Sequence, residues 1–100
     1  MSYDISLLPA EPDGHWNYTS NCVPMWCAAG ADLASFHGRR AGDCWPVLWE
    51  AIATLLDDPD RFRGMNPSNG FGSYESLWPA LFELARLFYR YPGHTVQVSR

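Results

Sequence analysis

Three prolines each follow a helix-capping residue at the same interval: Asn21-Cys22-Val23-Pro24, Asp43-Cys44-Trp45-Pro46 and Ser76-Leu77-Trp78-Pro79. Proline has no N–H, and the first-turn donors of a helix have no intrahelical partner, so the loss costs little there. The Asn, Asp or Ser side chain accepts from another free N–H of the same turn. The pattern predicts three helices starting near residues 21, 43 and 76. Gly30 ends the first, Asp57-Asp58-Pro59 the second and Tyr91-Pro92-Gly93 the third. The two acids oppose the dipole at the end of the second helix, and Arg61 and Arg63 follow closely enough to offset them.

The two ends of the chain read differently. Tyr3-Asp4-Ile5-Ser6-Leu7 and Thr95-Val96-Gln97-Val98-Ser99 alternate apolar and polar residues, the period of a half-buried strand. Two short strands alone are marginal in water, so they must pair and lie on the helices. Pro9, Pro12 and Gly14 mark a loop after the first strand. The expected fold is α+β and mostly α, a single domain over residues 1–100. It has about three helices, with short N- and C-terminal strands pairing as a small ribbon.

The second and third helices share a further likeness. Trp45-Pro46-Val47-Leu48-Trp49-Glu50 aligns with Trp78-Pro79-Ala80-Leu81-Phe82-Glu83. This is either a degenerate repeat or convergence on one core geometry. Cys44, Leu48, Ala51, Ile52 and Leu55 fall at helical spacing, as do Trp78, Leu81, Phe82, Ala85 and Phe88. Both stripes are expected to pack helix on helix and against the strands. Were Glu50 and Glu83 turned inward, they would make a carboxylate pair; exposed, Glu83 is a surface partner for Arg86.

Catalytic motifs are absent: there is no G-x-S-x-G, H-E-x-x-H, C-x-x-C or P-loop pattern. Three cysteines, an odd number, argue against a disulfide framework. Cys22, Cys27 and Cys44 with His15 or His37 are a set from which a metal site can be drawn. The simpler reading makes them small core thiols. No cofactor and no metal are expected. The net charge of −4 and the lack of a basic stripe exclude direct nucleic-acid binding through phosphates. No apolar run approaches the roughly 18 residues a membrane helix needs. The N-terminus shows no basic region followed by an apolar run, so no leader is expected and the expected location is cytoplasmic.

Two segments crowd amides, hydroxyls and aromatics together. The first runs from Trp16, Asn17, Tyr18 and Thr19 to Asn21 and Trp26. The second contains Asn66, Asn69, Phe71 and Tyr74. Asn and Ser give adaptable hydrogen bonds, while Tyr and Trp give rigid contact area, a mixture that suits a protein partner or a polar ligand. The structural alternative is capping and turn chemistry, with Asn21 as a cap and Asn69-Gly70 as a turn. Both hold if the two segments meet on one face.

Together these features resemble a family of small uncharacterised proteins encoded by bacteriophages, especially those of actinobacteria, and by related mobile elements. The resemblance rests on Tyr3-Asp4-Ile5, on Asn17 through Asn21 leading to Met25, on Gly38, Ala41, Gly42, Pro46, Leu48, Ala51 and Ile52, and on Asn66-Pro67 with Asn69-Gly70. It covers most of the chain, about residues 3 to 90, through the order of motifs rather than any single one. It implies a phage context and a small α-rich fold, and no reaction.

The function expected from the sequence is therefore that of a non-enzymatic accessory protein that binds a host or phage protein, with inhibition of a host defence or regulatory system as one form. One alternative is a small-ligand binder that sequesters a nucleotide-like molecule, with Trp16, Tyr18, Trp26 and Phe71 stacking on its base. Another is a self-associating structural protein, a homodimer being the simplest.

Overall fold

A computed structural model describes residues 1–100. Strand β1 (Ser2–Leu8) is followed by β2 (His15–Thr19), helix α1 (Val23–Ala28), helix α2 (Ala41–Asp57), the short helix α3 (Pro59–Arg63), helix α4 (Tyr74–Arg90) and strand β3 (Thr95–Ser99). One-turn 3₁₀ segments occupy Ser20–Cys22 and Leu33–Phe36. The chain is an α+β fold in which the terminal strands pair as expected, Ile5 opposite Val98 and Leu7 opposite Val96.

The ribbon gains a third strand. His15–Thr19 pairs antiparallel with β1, giving the order β2-β1-β3. The sequence reading treats this stretch as the approach to a helix cap. Its side chains nonetheless alternate: Trp16 and Tyr18 stack on one face with ring centroids 6.0 Å apart, and Trp16 is buried. Asn17, on the other face, donates through Nδ2 to the Tyr3 carbonyl at 3.2 Å and to Asp4 Oδ1 at 2.9 Å. An amide that reads as a turn signal is thus spent on bonds to the neighbouring strand.

Tyr3, Ile5, Leu7, Trp16 and Val96 form the buried face of the sheet and join a single core with the helices. The outer edge of β3 is covered, because Gly38 N donates to the Val96 carbonyl and Val96 N to the Arg39 carbonyl, each at 2.8 Å. That edge is therefore closed to further strands.

Helices α1, α2 and α4 start at Val23, Ala41 and Tyr74, each within two residues of its expected place, but the prolines do not all sit in a first turn. Pro24 does lie in the first turn of α1. Pro46 and Pro79 lie inside α2 and α4, each at the sixth position. Helix α2 begins early because the α4–β3 turn serves its free donors: Ala41 N and Gly42 N donate to the His94 and Pro92 carbonyls, each at 2.9 Å. Helix α4 begins at Tyr74 because Ser73 and Ser76 make a reciprocal capping box. Ser76 is thus the third helical residue rather than the cap. Asp43 likewise sits in the first turn of α2, whose cap residue is Arg40. Thr19, not Asn21, caps the 3₁₀ turn, its Oγ1 accepting from Asn21 N at 3.3 Å. After α2, Arg63 turns to Asp60 and Glu75 rather than to Asp57 or Asp58.

Helices α2 and α4 run antiparallel. Tyr74 Oη at the start of α4 donates to the Leu55 carbonyl near the end of α2 at 2.8 Å. At the opposite end, the rings of Trp45 and Tyr89 meet edge-on at 5.4 Å. The α2 stripe packs as its spacing predicts, with Cys44, Leu48, Ala51, Ile52 and Leu55 all buried. The α4 stripe is rotated. Its core face is Tyr74, Leu77, Leu81, Leu84, Ala85 and Phe88, and Phe82 is left exposed. Phe82 lies about 100° around the helix from Leu81, on the flank where its ring meets Trp49 of α2. No helix is long and apolar enough to cross a membrane.

Candidate functional site

The two polar-aromatic segments do meet. Asn21 Nδ2 donates to the Phe71 carbonyl at 3.4 Å, and Ser73 N donates to Tyr18 Oη at 3.4 Å. Gly72 lies against Thr19 and Cys22 so closely that a Cβ there would come within 2.7 Å of Thr19 Cγ2.

Most of the polar groups at this junction already have internal partners. Trp16 Nε1 donates to the Ala80 carbonyl at 2.8 Å. Asn66 Oδ1 accepts from Tyr74 N at 2.7 Å, and Asn69 Oδ1 from Phe71 N at 3.0 Å. Trp16, Trp26 and Tyr74 are buried, and the Trp26 ring is packed edge-on against Tyr3 at 5.0 Å. Its indole N–H meets no acceptor, so Trp26 holds its place by packing alone. Burial pushes the Tyr18 hydroxyl pKa up, which keeps it neutral as a hydrogen-bonding group. Of the rings in these segments, only Phe71 is exposed, at 69%. The junction joins β2 to α4 and leaves one aromatic ring for a ligand.

The thiols and carboxylates singled out in the sequence do not converge on one site. Cys22 and Cys44 are buried and Cys27 exposed, all as free thiols. Burial raises all three thiol pKa values, with Asp32 adding to the effect at Cys27. The raised values keep the thiols protonated near neutral pH, the weakly nucleophilic form. No three His, Cys, Asp or Glu side chains gather in metal-holding geometry. Glu50 and Glu83 are both exposed, and Glu83 pairs with Arg86 at 3.4 Å.

The concentration of exposed apolar surface lies elsewhere, in the valley between α2 and α4 on the side away from the sheet. The aligned residues Trp49 and Phe82 meet there, with ring centroids 5.9 Å apart. Trp49 is 53% exposed and Tyr89 68%. Trp45, Trp49, Phe82 and Tyr89 line a groove of about 650 Å³ together with Ala85, Arg86 and Arg90. The groove follows from the sequence likeness of the two helices. In the alignment that pairs Trp45 with Trp78, Trp49 pairs with Phe82 and Leu56 with Tyr89. Each helix thus carries a second apolar stripe beside its core stripe, and antiparallel packing sets the two side by side. Periodicity alone merges the two stripes into one wide core face. The available signal is their width: a helix in two-layer packing buries one face, and these have apolar residues for more.

Beside the groove lies a smaller cavity of about 210 Å³, lined by Asp13, His15, Trp16, Glu83 and Leu87 and sharing Arg86 and Arg90 with it. Arg90 binds Asp13, whose other oxygen accepts from Tyr91 Oη at 2.8 Å. The Tyr91 hydrogen bond, aided by Arg90 against a smaller opposing effect of desolvation, holds the Asp13 carboxyl below its ordinary value. Through this cluster the β1–β2 loop is fastened to the end of α4.

No family model, curated protein or solved structure matches the chain.

Proposed function

We propose that the protein is a non-enzymatic binding module that docks a protein partner in the α2–α4 valley. One observation carries the reading: Trp49, Phe82 and Tyr89 are exposed side by side in one groove. Contiguous aromatic surface of this kind marks interaction sites, and Trp and Tyr dominate binding energy at interfaces. The raised thiol pKa values and the outward carboxylates give no support to an enzyme. The resemblance to phage and mobile-element proteins favours a host or phage protein as partner, in the host cytoplasm. Inhibition of a host defence or regulatory system is one outcome of such binding. A second reading, self-association, draws on the same exposed face.

The test is site-specific photo-crosslinking in the host background, with a photoreactive residue at position 49 or at position 71. The expected result is a discrete heteromeric adduct from position 49 alone. An adduct of twice the chain mass supports the homodimer instead. Adducts from position 71 alone move the site to the β2–α4 junction and overturn the valley as docking surface.

A further inference from the structure

We infer that the occupant of the valley is an amphipathic helix of the partner, acidic along the edge that faces α4; this rests on the docking reading above. Shape supports a helix. The groove follows Trp45 to Trp49 on α2 and Phe82 to Arg90 on the antiparallel α4, a length of about 12 Å at 1.5 Å per residue. Its walls bond their own backbones, so they offer no free N–H or C=O row to an extended strand. A helix needs none, because it satisfies its backbone internally. It needs apolar side chains one turn apart to seat among Trp45, Trp49, Phe82 and Tyr89.

Charge supports the acidic edge. The only charged side chains lining the groove are Arg86 and Arg90, in a chain whose net charge is −4. Both stand on the α4 wall. The positions aligned with them on α2 are Ala53 and Asp57, so one wall is cationic and the other is not. Their present partners leave donors over. Arg86 meets Glu83 only at 3.4 Å, between side chains 59% and 63% exposed, a contact that water competes with freely. Arg90 binds Asp13 through one nitrogen, and a guanidinium has five N–H donors. Carboxylates on the incoming helix would reach these donors along the α4 wall. The α2 wall lines the groove with Trp45 and Trp49 and no cation, which fixes which edge faces which wall.

The test is selection of α-helical peptides of roughly five turns from a surface-displayed library with all faces randomised. Selected binders are counter-screened against Trp49→Ala and against the double variant Arg86→Glu, Arg90→Glu. Circular dichroism checks that each variant is folded. The expected binders carry apolar residues at helical spacing and Asp or Glu along one edge. Trp49→Ala and the charge reversal each weaken them by about tenfold or more. Replacing the peptide acids by Lys restores binding to the reversed variant. Trp49-dependent binders that lack an acidic edge, or are indifferent to charge reversal, overturn the acidic helix and leave valley docking standing. Failure to find any Trp49-dependent binder overturns both. A dimer in sedimentation that Trp49→Ala dissociates puts a second copy in the valley and also overturns the inference.

Discussion

Tyr18 Oη lies 2.6 Å from Ser76 Oγ, so the edge strand β2 is fastened directly to the capping box of α4. The same Ser76 Oγ accepts from Ser73 N at 3.1 Å. Tyr18→Phe keeps the ring and removes the fastening. It is expected to cost about 1 kcal/mol, which lowers the melting temperature by roughly 4–8 °C in a domain of this size. Combined with Ser76→Ala, the loss should fall short of the sum of the single losses, because the residues share one network. Urea unfolding of the four proteins measures both.

Adjacent residues in α2 should behave oppositely. Leu48 is fully buried and Trp49 is 53% exposed. Leu48→Ala is expected to cost about 2–5 kcal/mol through lost burial and a cavity. Trp49→Ala should change stability by about 1 kcal/mol or less, since its ring rests on Phe82 only from outside the core. If Trp49→Ala proves as damaging as Leu48→Ala in denaturant titrations, the valley is core and not surface.

Gly72 meets two demands where Gly70 meets one. Its φ is +89°, and a Cβ there would lie 2.7 Å from Thr19 Cγ2 and 2.8 Å from Cys22 Sγ. Gly70 has a φ of +78° with nothing within 4 Å. Gly70→Ala is expected to cost about 1 kcal/mol, from backbone strain alone. Gly72→Ala should cost about 1–3 kcal/mol more, because β2 and the start of α4 must move apart. Thermal melts of the pair separate strain from collision.

Acid should loosen the loop clamp. Asp13 has a folded pKa below its ordinary 3.8, so its contribution is complete above that value and disappears as pH falls through the folded pKa. Tyr91, raised above 10.0 chiefly by its hydrogen bond to Asp13, adds the opposite limit. Its contribution is complete below its ordinary value and is lost as pH rises through the folded one. Asp13→Asn should flatten both flanks of the stability–pH curve while leaving its neutral plateau lower than in the parent protein. A variant curve parallel to the parent's would remove Asp13 and Tyr91 as the source.

The architecture was legible where one physical signal dominated. Alternation gave β1 and β3, and the breakers at Gly30, Asp58-Pro59 and Pro92-Gly93 gave the helix ends. The helix starts were less legible, because the donors of Ala41 and Gly42 are served by carbonyls of His94 and Pro92, far away in sequence. No local pattern encodes such a partner. Strand β2 was hidden because Asn17 favours turns when read alone, whereas pairing with β1 gives its amide two acceptors. The meeting of the two polar-aromatic segments was foreseen as a possibility. The burial of Trp16 depends on the third strand and that of Tyr74 on its bond to the Leu55 carbonyl of α2, partners far away in sequence, and so escaped the sequence reading. For the valley, the pairing of Trp49 with Phe82 was visible as an alignment, while its exposure required knowing that the sheet covers only one side of the helix pair.

The central strand is made before either of its neighbours, and the second neighbour follows only after all four helices. Strand β2 follows β1 after a short loop, but β3 begins at Thr95, beyond all four helices. At synthesis rates of about 5–20 residues per second, one flank of β1 waits on the order of several seconds for Val96 and Val98 to leave the ribosome. During that interval Ile5 and Leu7 lie on a half-built sheet with an open row of backbone donors and acceptors. The newborn chain is therefore adhesive until β3 emerges, and the rate at which the residues between β2 and β3 are made bears on how much of it survives to fold.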